Sequence, residues 1–216
     1  MTLLIFDFDG VVADSELIAN SELARALTDI GLPTTTDESL ARYMGRRWID
    51  CAADIEVALG RPLPPEFNDA RRAEVRARLA DELVEIDGLS AFIAAHADWP
   101  RCIASSSSHE WLALALDIIG LADLFPHRFS GASDVANGKP APDLFLHAAR
   151  SMGTAPADCV VIEDSVAGVT GGVAAGMRVI GLAAGSHIRD GHAETLRAAG
   201  AHAVAASYDE VAALLA

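Results

Sequence analysis

The sequence predicts an α/β protein built on a doubly wound, Rossmann-like parallel sheet, with a helical domain inserted near its start. Three observations carry this. Short apolar runs recur along the chain: Leu3 to Phe6, Arg101 to Ala104, Val160 to Ile162, Arg178 to Leu182 and His202 to Ala205. Most are continuously apolar, as expected of parallel strands covered on both faces. Helical patterns separate them, and three of these stop at a glycine: Glu110 to Ile119 before Gly120, Pro142 to Met152 before Gly153, and Val166 to Ala175 before Gly176. Strand and helix alternating in this way build a sheet with helices on both faces. The third observation is a break in the alternation, because from about Ser15 to Glu85 the chain keeps a helical period without a strand.

Each element follows from its residues. Leu3-Leu4-Ile5-Phe6 is stopped by Asp7, so a short buried strand ends on a charge. Within the insertion, Leu17, Leu23 and Leu27 recur in one segment, and Arg71 to Leu83 reads as a charged amphipathic helix of strong helix formers. Gly60 and Leu63-Pro64-Pro65 punctuate it.

Composition narrows the partners. Hydrophobic residues make up 51% and charged residues 22% of the 216, the balance of a packed globular chain. Thirty-one acids against 16 bases give a net charge of -15. A field of that sign repels nucleic acid and anionic lipid, so neither is expected as a partner. An anionic substrate would need a local reversal of sign from a metal ion or a few placed cations. No apolar run approaches the roughly 18 residues of a membrane helix, and the opening segment lacks the pattern of a signal peptide. Cys51, Cys102 and Cys159 are odd in number and far apart, which suits buried reduced thiols rather than disulfides or a metal knuckle. A cytoplasmic location is the expectation.

The chemistry concentrates in four places. Asp7-Phe8-Asp9-Gly10 leaves the first strand, at the carboxyl end where open parallel sheets bind ligands. A spacing of two turns Asp7 and Asp9 towards one side, where two ionised acids repel unless a cation sits between them. Gly10 lets the backbone turn away. The second strand runs into Ser105-Ser106-Ser107-Ser108. Ser105 is the candidate for a phosphate oxygen, Ser106 a candidate substrate contact, and Ser107 with Glu110 fits a capping box. Gly138-Lys139-Pro140 precedes a helix, and the proline biases Lys139 towards an extended backbone, which directs its ammonium. Val160-Val161-Ile162-Glu163-Asp164-Ser165 ends a buried strand in two acids. Asp164 fits either a helix cap or a ligand for Mg²⁺, which prefers oxygen donors. Gly168, Gly171 and Gly172 weaken the helix that follows and imply close approach to its neighbours.

These four pieces, in this order, resemble the haloacid dehalogenase superfamily, and within it the phosphatase and β-phosphoglucomutase branch with a helical cap after the first motif. The resemblance implies a core of residues 1–14 and 87–216 and a cap of 15–86. It implies a Mg²⁺-dependent phosphatase of small phosphate monoesters, of the sugar or polyol phosphate class. Asp7 would be the nucleophile that forms an aspartyl-phosphate, and Asp9 the general acid–base. Mg²⁺ would be held by Asp7, by the backbone carbonyl of Asp9 and by Asp164, with Glu163 in support. Ser105 and Lys139 would hold the transferring phosphoryl group. On the cap, Arg46 and Arg47 follow Gly45 and fit either a substrate clamp or a solvated basic pair, and His109 is a further possible lining residue.

The rival is a sugar-phosphate mutase. The resembling mutases carry a histidine twelve residues after the nucleophile, where this chain has Ala19. A dehalogenase has no use for Asp9. A phosphate-receiver signalling module shares the acidic cluster and lysine, but is shorter and lacks the helical insertion. Substrate identity and oligomeric state are not written in these motifs.

Overall fold

The computed structural model describes residues 2–216. Six strands form one parallel sheet: β1 (Leu3–Phe6), β2 (Arg101–Ser105), β3 (Arg128–Ser130), β4 (Cys159–Glu163), β5 (Arg178–Leu182) and β6 (Ala203–Ala205). Their order is β3-β2-β1-β4-β5-β6, so the chain winds one way from β1 and then the other. The crevice between β1 and its two neighbours is therefore the topological switch point, where ligands of such sheets bind. This is the doubly wound α/β architecture expected. The edge strand β3 was not foreseen, being three residues long with two only partly buried.

The core helices are α5 (Leu89–Ala95), α6 (His109–Ile118), α7 (Asp143–Ser151), α8 (Val166–Ala174), α9 (His192–Ala198) and α10 (Tyr208–Leu215). Period-two alternation along β1 sorts its side chains between two cores. Leu4 and Phe6 pack with Phe92 of α5, Leu112 and Leu116 of α6 and Val211 of α10. Leu3 and Ile5 pack on the other face with Phe145 of α7, Val169 of α8 and Leu196 of α9. A charge at the end of β1 is thus held by a strand anchored on both faces.

Helices α1 (Glu16–Asp29), α2 (Thr36–Tyr43), α3 (Trp48–Leu59) and α4 (Phe67–Glu82) fill the insertion. They share a small core of their own, around Leu23, Leu27, Tyr43, Cys51, Ile55 and Phe67. On α1 it is Ile18, not Leu17, that joins the buried face. Ile18, Val75 and Leu79 belong to the same apolar cluster as Phe6 and Phe8, so the insertion packs directly on the main core. The chain departs and returns side by side: Ala13 and Glu85 form an antiparallel bridge, flanked by Asp14 N–H to Val84 O at 2.9 Å and Ile86 N–H to Val12 O at 3.0 Å. The three cysteines are buried and free. No described helix is long and apolar enough to cross a membrane.

Candidate active site

The loop after β1 sets the centre of the site. Asp7 N–H continues the sheet ladder to Ile162 O at 2.9 Å, and the amides of Val12 and Ala13 turn back onto Phe8 O at 2.8 and 3.0 Å. The fully buried Tyr208 donates its hydroxyl to Val11 O at 2.8 Å, pinning the turn from beneath. Gly10 sits at φ +80, and a Cβ there would run into the Asp164 carboxylate and the His187 ring. That position thus needs glycine both for its backbone angle and for space.

Lys139 joins the ends of β1 and β4. Its ammonium is buried and donates to Asp7 Oδ1 and to Glu163 Oε1, each at 2.6 Å. Burial alone would lower its pKa, but the carboxylates of Asp7 and Glu163 outweigh this and raise it. The second Glu163 oxygen accepts from the backbone N–H and hydroxyl of Ser165, at 2.7 and 2.9 Å. Room for that carboxylate exists because residue 168 is glycine, whose missing Cβ would otherwise overlap it. The remaining glycines of α8 do similar work, since a Cβ at 172 would press on Val179 and one at 171 on Ala141 O and Phe145.

Asp164 is different. Neither of its buried carboxylate oxygens has a hydrogen-bond donor, and neither ring nitrogen of the buried His187 has a partner. His187 Nε2 lies 2.9 Å from Asp164 Oδ2, but off the line a hydrogen bond requires. Asp164 does not cap α8, because Ser165 does so through Gly168 N–H at 3.0 Å. Oxygens of Asp7, Glu163 and Asp164 come within 4.8 Å of one another. Burial, opposed by Lys139 and reinforced by Glu163 and Asp164, pushes the Asp7 carboxyl well above the usual range. Burial and Glu163 do the same to Asp164. Three buried carboxylates against one ammonium leave surplus negative charge, and the undonated Asp164 oxygens are what a hard cation takes up. The residues present fit a divalent ion. Glu163, with both oxygens already engaged, fits support rather than direct ligation.

The Asp9 carboxylate stands outside this acidic group. It accepts from Ser15 Oγ at 2.6 Å and Trp111 Nε1 at 3.1 Å on Oδ1, and from Ser107 Oγ at 2.7 Å on Oδ2. The serine run therefore divides its work differently from the capping-box expectation. Ser105 Oγ accepts from Ser107 N–H at 3.1 Å, leaving its own proton to donate. Ser106 donates to Gly45 O on the insertion at 2.8 Å. Ser107 is held by Asp9, so the cap of α6 passes to Ser108, through Trp111 N–H at 3.3 Å. Glu110, freed from any box, pairs with Arg72 and Arg76 of α4.

A cavity of about 310 Å³ lies between the strand ends and the insertion. Asp7, Asp9 and Ser105 line it from the core, and Arg46, Trp48 and Arg71 from the insertion. Arg46 pairs with Asp54 at 2.8 Å. Arg47 does not line the cavity. Its guanidinium holds Asp50 in a two-pronged contact at 2.7 and 3.1 Å and donates to Ala136 O at 2.9 Å, fastening the insertion beside the Lys139 loop. His109 is half-exposed on Asp134 and likewise stands apart. The sequence reading missed Ser15, Trp111, Glu16 and the pair His187 and His192. Glu16 is buried beside the site, with its carboxyl raised by burial and by Asp164 and Asp9. His192 Nε2 lies 2.7 Å from Asp164 O. The two histidines sit in a loop and at a helix start with no telltale spacing.

Fold and site together define a buried carboxylate–lysine centre at the switch point of a doubly wound α/β sheet, covered by a helical insertion. The family model of the haloacid dehalogenase-like hydrolases matches residues 1–176, and the chain belongs to that family. The chain is similar to the 6-phosphogluconate phosphatase of Escherichia coli, at 28% identity over 85% of this chain and 83% of that one. Among solved structures it is similar to a haloacid dehalogenase-like protein of unknown function from Agrobacterium tumefaciens, with 38% identity, TM-score 0.84 and coverage of 100% and 97%. It is also similar to a family hydrolase of Deinococcus radiodurans with bound phosphate and sodium, at 32% identity, TM-score 0.77 and coverage of 100% and 95%.

Proposed function

We propose that this hydrolase is a Mg²⁺-dependent phosphatase of small sugar or polyol phosphates, working through a phosphorylated Asp7. The observation that carries the reading is the coupling of Asp7 and Glu163 through one buried lysine, beside an Asp164 left without donors. Phosphoryl transfer asks for positioning and charge neutralisation more than for elaborate chemistry. Asp7 attacks phosphorus in line while Lys139 and the Ser105 hydroxyl hold phosphoryl oxygens. Asp9, positioned by Ser15, Ser107 and Trp111, enters the cycle protonated, gives that proton to the leaving alcohol, and regains one from the attacking water. Asp7, Asp164 and the Asp9 backbone carbonyl would hold a divalent cation, which would supply charge neutralisation for the nucleophile and the phosphoryl group. Glu163 keeps Lys139 in place, and the insertion screens the site from bulk water.

Ala19 lines the cavity, and an alanine methyl cannot relay the proton that a mutase must move at that position. This favours water over a second sugar hydroxyl as acceptor. The test is a panel of phosphate monoesters with and without Mg²⁺, run alongside Asp7→Asn. The expected result is metal-dependent release of free phosphate that the variant abolishes. Interconversion of sugar phosphate isomers without free phosphate would replace the reading with a mutase. Stable labelling by acetyl phosphate without turnover would replace it with a receiver.

A further inference from the structure

Three arginines of the insertion reach the cavity: Arg46, Arg71 and Arg72. Arg46 pairs with Asp54, and Arg72 shares Glu110 with Arg76. Arg71 has no carboxylate partner among the described residues. Its one hydrogen bond runs from Nη2 to Asn68 Oδ1 at 2.9 Å, and its Nε is sequestered without a partner. The guanidinium lies over the Trp48 ring, 4.6 Å from its centroid, and Trp48 in turn stacks on Phe67 at 6.1 Å. Burial lowers its pKa to about 10, with Arg72 adding to the shift, so it stays protonated at neutral pH. A cation stacked, oriented and unpaired inside a ligand cavity is a costly arrangement for the empty protein. It becomes favourable when an anion arrives.

We propose that Arg71 receives a carboxylate of the substrate, so that the preferred substrates are phosphorylated sugar acids rather than neutral sugar phosphates. The inference rests on the phosphatase reading for the other end of the ligand. The geometry suits a planar anion, because the guanidinium fork pairs with a carboxylate through two parallel bonds. Charge also selects. Arg71, the cavity guanidinium without a carboxylate partner among the described residues, matches the single charge of a carboxylate, whereas a second phosphate would bring about two charges into a cavity already lined by Asp7, Asp9 and Glu16. The same arginine on an exposed helix face would be an ordinary solvated group. Trp48 and Asn68 give it one direction.

The experiment compares an aldonate 6-phosphate, the matching neutral hexitol 6-phosphate and a hexose bisphosphate in the wild-type enzyme and in Arg71→Met and Arg71→Lys. The readout is the ratio of kcat/KM between substrates within each variant, which cancels any loss of folded protein. The expected wild-type preference for the aldonate is about 10- to 100-fold, as for a charge-assisted pair lost on removal of the carboxylate. In Arg71→Met the preference falls towards unity, mainly through KM, and Arg71→Lys retains part of it. A wild type indifferent to the carboxylate, a preference for the bisphosphate, or a preference that survives in Arg71→Met overturns the proposal while leaving the phosphatase reading intact. Calorimetric binding of the same three compounds separates the two failures. If no ester is turned over, yet the aldonate phosphate still binds tightest and loses that advantage in Arg71→Met, the carboxylate contact at Arg71 stands and the phosphatase reading falls.

Discussion

The indole Nε1 of Trp111 donates to Asp9 Oδ1 at 3.1 Å, so the first turn of α6 reaches across the sheet crevice to hold the second aspartate of the first motif. Two hydroxyls, Ser15 and Ser107, complete its environment. Replacing Trp111 by Phe removes one of three donors and little bulk. The expected result is a fall in kcat of about 3- to 10-fold, the worth of one modest hydrogen bond, with KM nearly unchanged. A loss confined to KM would show that the indole contacts substrate rather than orienting Asp9.

Lys139→Met leaves Asp7, Glu163 and Asp164 together with no cation among them. Removing one partner of a buried ion pair costs about 3 kcal/mol or more, measurable by urea denaturation at neutral pH without added metal. Phosphatase activity should disappear into background. A variant of unchanged stability would mean that water, not protein, surrounds these carboxylates.

Gly168→Ala adds one methyl group to a residue that touches no ligand. Its Cβ would displace the Glu163 carboxylate, and with it the anchor of Lys139. Misplacement of a catalytic group by about 1 Å costs on the order of 100-fold in rate. Steady-state kinetics on protein with a wild-type circular dichroism spectrum would check this. Near-normal turnover would show that Glu163 can relocate without consequence.

The raised carboxyls of Asp7, Glu16 and Asp164 link stability to pH. A carboxyl whose pKa is higher folded than unfolded adds stability below the unfolded value of about 4, and that gain is lost as pH climbs through the folded value. Metal-free protein should therefore melt at progressively lower temperature as the pH rises above about 4. Saturating Mg²⁺ should flatten this slope, because the ion replaces the protons. Parallel melting curves with EDTA and with Mg²⁺ would refute a cation site at these acids.

Much of the core site was legible because its residues are local. Asp7, Asp9, Glu163 and Asp164 each follow a short apolar strand, and in a parallel sheet the ends of neighbouring strands are neighbours in space. The winding order then decides which ends meet, here β1 beside β2 and β4. What could not be read depends on distant contacts. Ser107 and Ser108 are equally good caps by composition, and only the pull of Asp9 on Ser107 shifts the helix start by one residue. Arg46, Arg47 and Arg71 look alike on paper, yet Asp54, Asp50 and Ala136 occupy the first two while packing on Trp48 leaves the third unpaired. The strand β3 escaped notice because its three residues, Arg128-Phe129-Ser130, hold one apolar side chain and so make no apolar run.

The paired crossing at Ala13 and Glu85 has a further consequence. Both ends of the insertion are paired with each other at this crossing, so the two connections bend together as one ribbon. A module joined through a single ribbon can tilt as a unit while its own interior keeps its shape. It can also be exchanged for another helical module with adjacent chain ends, provided the replacement covers Phe6 and Phe8 as Ile18, Val75 and Leu79 do.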